Sequence, residues 1–132
     1  EIINFLIPFL IGSLIFFSIV VAPNVFITLD QKSARKFIRS IFPKLYLWAF
    51  LISIIITLLI IYHGIIYSMI FFVISSGFLF SRTFLVKWIN DVSDLKRKTS
   101  NQIRKFKILH SSSVLIFISQ IICMAVVYFK VQ

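Results

Sequence analysis

The 132-residue chain is poor in acid, cysteine, glycine and proline, and each shortage excludes something. Its 4 acidic residues face 14 Lys and Arg, for a net charge of +10. No Asp, Glu or Lys falls in the middle of a long apolar run. That argues against proton pumps and ion-coupled transporters, which need ionisable groups at membrane depth. The single Cys123 excludes an internal disulfide and any cysteine-based zinc site. Only Gly12, Gly64 and Gly77 are present, so there is no glycine-rich phosphate loop.

What is abundant is apolar. Hydrophobic residues make up 60% of the chain, 16 of them Phe, and the mean hydropathy is +1.04. Soluble domains average roughly 45–50% apolar residues, and much of a small fold's surface stays wet. Lipid must cover the excess. Ile2 to Ala22 carries no charge and, at 1.5 Å per residue, makes a helix long enough to cross about 30 Å of hydrocarbon. A cleaved signal peptide fits this run poorly, because it is too long and has no basic start. Further spans are read at about 45–62, 65–86 and 108–129, with basic loops at 23–44 and 87–107. The predicted fold class is all-α: one membrane domain over residues 1–132, an integral membrane four-helix bundle.

The punctuation is set by proline and glycine. Ala22-Pro23 is expected to end or kink the first span, since the residue before a proline is pushed out of helical geometry. Asp30 then N-caps a short amphipathic helix, Gln31 to Ile41. Its apolar residues Ala34, Phe37, Ile38 and Ile41 follow helical spacing, leaving Lys32, Arg35, Lys36 and Arg39 to contact the lipid surface. Pro43 suits the first turn of the second span. His63-Gly64 is a minimal turn, so spans two and three pack antiparallel.

Thirteen of the 14 basic residues lie in 23–44 and 82–107, the two loops with Arg82 at the end of the third span, so both loops face the cytoplasm, with both termini outside. A bacterial inner membrane is the expected location. The same clustering points to anionic lipid as partner rather than nucleic acid. Within the spans, the Ala49, Ser53 and Thr57 stripe and the Gly77 and Ser81 pair have the spacing of helix-packing positions. Gln120 is expected to hydrogen-bond across the bundle, with Ser53 or Thr57 as its partner.

The most interesting polar cluster is His110 with Ser113, within reach of Arg82, Asn90 or Asp94. Its bland reading is a hydrogen-bonded histidine stitching loop to bundle. Ser113, His110 and Asp94 spell a hydrolase triad on paper, but no nucleophile elbow accompanies them. His63 and His110 lie at opposite ends of the spans, so one haem cannot bridge them; a single-histidine haem site at His110 is the weaker alternative. No cofactor and no metal site is predicted.

The order and spacing of Gly12, Phe17, Pro23, Phe26, Leu29, Ala34, Phe42-Pro43 and Tyr46 are similar to those of a known family. So are Ile89-Asn90, Asp94 and Phe106-x-x-Leu109-His110-x-x-Ser113. Across nearly its whole length the chain resembles the small four-helix membrane family that includes transmembrane protein 205, a domain of unknown function. It departs at Lys87, where that family tends to have proline, and at Ile116, where it has asparagine. The family's distant likeness to copper-resistance membrane proteins finds no Met-, Cys- or His-rich site here. The function expected is that of an accessory or structural subunit packing against other membrane proteins or copies of itself. Alternatives are small-molecule or metal transport by an oligomer, and a haem protein or membrane enzyme using His110.

Overall fold

The computed structural model describes residues 1–95 and 99–132, and it is all-helical across four long rods. The first rod comprises α1 (Ile2–Phe16), a π-helical turn (Phe17–Val21) and α2 (Ala22–Thr28). The second is α3 (Gln31–Ile60), closed by a 3₁₀ turn at Ile61–His63. The third comprises α4 (Ile65–Phe80), a second π-helical turn (Ser81–Leu85) and α5 (Val86–Ser93). The fourth is α6 (Ser100–Lys130). All four are long and apolar enough to cross a membrane.

The first rod does not end at Pro23. Proline withholds one backbone donor, and the chain absorbs this by widening the preceding turn, where the Ala22 N–H reaches the Phe17 carbonyl five residues back. The Asn24 side-chain amide donates to the Val20 carbonyl at 2.7 Å. Helix then continues to Thr28 and stops at Leu29, whose backbone is extended.

Nor is Gln31–Ile41 a separate short helix. Asp30 caps α3 by accepting the Ser33 N–H at 3.2 Å. Hydrogen bonds from the Ser33 side chain and then its backbone hold the Asp30 carboxyl below the ordinary carboxylate range. α3 then runs through Pro43 without a break. The reason is packing. Buried residues Ala34, Tyr46, Ala49, Ser53, Ile56 and Ile60 follow one helical stripe on both sides of the proline, and that shared face outweighs one missing hydrogen bond.

The connection expected over 87–107 is also mostly helix. α5 carries on to Ser93, with Val92 buried, and α6 starts at Ser100. Thr99 and Gln102 form a reciprocal capping box: the Thr99 N–H donates to Gln102 Oε1 at 2.9 Å, and the Gln102 N–H donates to Thr99 Oγ1 at 3.4 Å. The Lys96-Arg97-Lys98 part of the basic run lies outside the described residues. Gly64 makes the opposite turn with φ +146°, a conformation that L side chains rarely adopt.

The core is a layered stack. Ile3, Ile7, Leu10 and Leu14 of α1 meet Ala49, Ile52, Ile56 and Ile60 of α3, Phe71, Ile74 and Phe78 of α4, and Met124 and Val127 of α6. The α3–α4 seam is closed by hydroxyls. Ser75 Oγ donates to Ser53 Oγ at 2.8 Å, Thr57 Oγ1 to the Ser53 carbonyl at 2.7 Å, and Ser68 Oγ to the Thr57 carbonyl at 2.8 Å. α1 packs on α6, and a hydrogen bond from Gln132 Nε2 to Asn4 Oδ1 at 2.8 Å joins their ends. The π-turn and α2 do not share that close packing, so the first and fourth rods part toward the basic end.

Candidate functional site

Where those two rods part, the bundle holds a cavity of about 540 Å³. Its walls are apolar: Ile15 and Ile19 from the first rod, Ile38 and Phe42 from α3, Val86 and Ile89 from the third rod, and Phe117 and Ile121 from α6. Apart from Ser18 between Ile15 and Ile19 and Tyr46 in the α3 wall, its polar groups gather toward the basic end of the bundle. Arg39, Asn90, His110 and Ser113 all line it, each from a turn near that end of its rod. Tyr46, buried in α3, also lines the wall.

Three of the five clustered candidates therefore meet at one cavity: His110, Ser113 and Asn90. The other two are drawn off by partners. Asp94 Oδ1 receives Arg39 Nη2 at 2.6 Å, in an ion pair between the extended start of α3 and the end of α5. Arg82, in the second π-turn, donates through Nε to the Pro43 carbonyl at 3.2 Å. The Ser113, His110 and Asp94 side chains do not form a hydrogen-bonded relay among the described residues. The His110 ring instead stacks parallel on Phe106 one turn earlier, with centroids 6.1 Å apart. His63 sits in the 3₁₀ turn at the far end of the rods. Among the described residues no group of three or more His, Cys, Asp or Glu converges as metal ligands.

The basic surface divides as well. Lys32, Arg35 and Lys36 are exposed, whereas Arg39 is half-buried at the cavity and neutralised by Asp94. The reason is rotational: α3 continues as one helix, so Arg39 stands one turn before Phe42 and four residues before Pro43, on the side that meets Asp94 at the end of α5.

Deeper in the bundle, Ala49, Ser53, Thr57 and Ser81 are buried, and Gly77 is half-buried. Gln120 is buried too, but its partner is neither Ser53 nor Thr57. Its Nε2 donates to the Ile74 carbonyl on α4 at 2.9 Å, and Oε1 has no protein partner among the described residues. Gly77 explains the choice: a Cβ there would lie 2.5 Å from Gln120 Nε2, so the glycine leaves room for this amide to reach the α4 backbone. Sequence reading missed Ser68 and Ser75, which complete the hydroxyl seam. Their seven-residue spacing puts both on one face of α4 and was the available signal.

Four membrane-length helices around a hydroxyl-bonded core define a multi-pass helical bundle of the membrane. The chain belongs to the family of the domain of unknown function DUF4149, whose model matches residues 5–130. No curated protein and no solved structure matches it.

Proposed function

We propose that the chain is an accessory subunit of the bacterial inner membrane that acts by packing against membrane partners, with its basic end in the cytoplasm. The observation that carries this is how the polar groups of the spans are used. The hydroxyls of Ser53, Thr57, Ser68 and Ser75 bond to one another and to backbone, so they are spent on joining α3 to α4. Outside the core, Phe5, Ile27, Leu58, Ile66 and Val73 present broad apolar faces. Such faces suit lipid or neighbouring helices. The Phe106 to Ser113 motif resembles that of the family that includes transmembrane protein 205, which suits a small membrane bundle of this kind.

The orientation rests on the basic residues at one end of the rods. With Cys123 replaced by Ser, an Asn101→Cys chain in intact cells should resist an impermeant thiol reagent and label only after lysis. Ready labelling before lysis would reverse the topology.

The packing role is tested by gentle detergent purification of the parent and of His110→Asn. Both should carry the same co-purifying membrane proteins and show no visible absorbance. A Soret band in the parent that disappears in the variant would overturn the reading. So would a lone monomer whose turnover depends on His110.

A further inference from the structure

We infer that the cleft between the first and fourth rods is a seat for one acyl chain of an anionic phospholipid, with its phosphate at the basic end. The inference is independent of the accessory role and needs only that the rods span a bilayer.

The cavity's volume of about 540 Å³ lies within the range of roughly 300–1,000 Å³ typical of sites that enclose small ligands. The flanking positions are Ile15 and Ile19 on one side and Val114 and Ile118 on the other, and all four are exposed. They belong to the apolar stretches of membrane-length helices, so the cleft opens sideways into hydrocarbon rather than into water. A ligand entering there comes from the bilayer. Apolar walls along its length suit a chain of methylenes.

The polar end then selects the head. Arg39 and His110 line it, and one turn nearer the basic end, at i−3 on the same faces, stand the exposed Lys36 and Lys107. Asp94 is the acidic side chain that touches this group, and Arg39 already neutralises it at 2.6 Å. An arginine has five N–H donors in a fork matched to phosphate oxygens, so the ion pair leaves donors for a headgroup. Asn90 supplies an amide beside them. Apolar depth with a cationic rim at the interface is the chemistry of an acidic phospholipid, and it differs from the diffuse attraction of exposed lysines to a charged surface.

The test uses the full chain in mild detergent, titrated with dioleoyl phosphatidylglycerol or dioleoyl phosphatidylcholine and read by native mass spectrometry. One phosphatidylglycerol per chain should be retained, with about tenfold preference over phosphatidylcholine. Val114→Trp, a change at an exposed position that fills the mouth, should abolish that retention. Lys32→Gln with Arg35→Gln should leave it in place. Equal retention of the two lipids would overturn the proposal. So would undiminished retention in Val114→Trp, or loss confined to the Lys32/Arg35 variant.

A second measurement needs no variant. Phosphatidylglycerol carrying a photoactivatable diazirine on one acyl chain should label peptides containing Ile15–Ile19 and Val114–Ile121. Labelling spread evenly to Leu58, Ile66 and Val73 would show bulk solvation and sink the site. A neutral prenyl amphiphile or a second copy's helix held in the cleft in place of phosphatidylglycerol would overturn it as well.

Discussion

Ser53→Leu should lower the thermal midpoint sharply, while Ser76→Leu, the same substitution on the outer face of α4, should leave it nearly unchanged. Ser53 has no exposed surface, and its Oγ is held between the Phe50 carbonyl at 2.9 Å and Ser75 Oγ at 2.8 Å. Three extra carbons at that point have no void to enter, because the seam brings two helices together through small side chains. Overpacking of this kind costs about 1–3 kcal/mol. Ser75 can turn its one hydroxyl hydrogen to the Phe71 carbonyl at 2.8 Å, so the loss is mainly steric. Ser76 is exposed and bonds only its own helix at the Phe72 carbonyl. A leucine there faces lipid. The measurement is thermal unfolding of both variants in one detergent, followed by size-exclusion fluorescence. Equal shifts would place the helix interface elsewhere.

Gly77→Ala should be destabilising on its own and harmless once Gln120 is gone. In a helix the exchange normally gains stability, because glycine costs about 1 kcal/mol relative to alanine. Here the added methyl would lie 2.5 Å from Gln120 Nε2. The amide must swing away from the Ile74 carbonyl, and with Oε1 already unpaired the whole buried group is then left without a partner. An orphaned buried polar group costs about 1–3 kcal/mol. In a Gln120→Ala background the clash is removed, and Gly77→Ala should be neutral or stabilising. A double-mutant cycle measured by unfolding in detergent isolates this coupling. Additive effects would mean the two residues do not touch.

The membrane class is legible from composition, because no soluble fold of this size hides so many Phe and Ile. Helix ends are less so. Pro23 and Pro43 read as boundaries by their local chemistry, yet a widened turn absorbs one and a continuous buried stripe overrides the other. The stretch from Lys87 to Lys107 reads as a loop because charge at a membrane surface and charge on a helix extension look alike in a sequence. The Thr99–Gln102 box was there to be read, as a T-x-x-Q ahead of the fourth rod. Depth along the rods comes from counting residues, which is enough to set His110, Ser113 and Asn90 at one level. Rotation does not. The Arg39–Asp94 pair and the Gln120–Ile74 bond depend on how neighbouring helices turn toward each other. The cavity's Ile and Phe lining uses the same letters as the core, so nothing in the sequence separates the two.

The unequal fastening of the first rod has a mechanical consequence. It is clasped to α6 along α1 and by the Asn4–Gln132 bond, whereas its lower half leans on α3 through contacts such as the Phe17–Phe42 edge-to-face pair, 5.4 Å between centroids. A rod fixed at one end and resting at the other behaves as a lever. Swinging α2 away from α6 breaks no interhelical polar bond among the described residues, while moving α1 would break the amide clasp and uncover Ile3, Ile7, Leu10 and Leu14. The soft direction of this bundle therefore runs sideways at the basic end, along the bilayer plane, and the stiff end is the one that carries both termini.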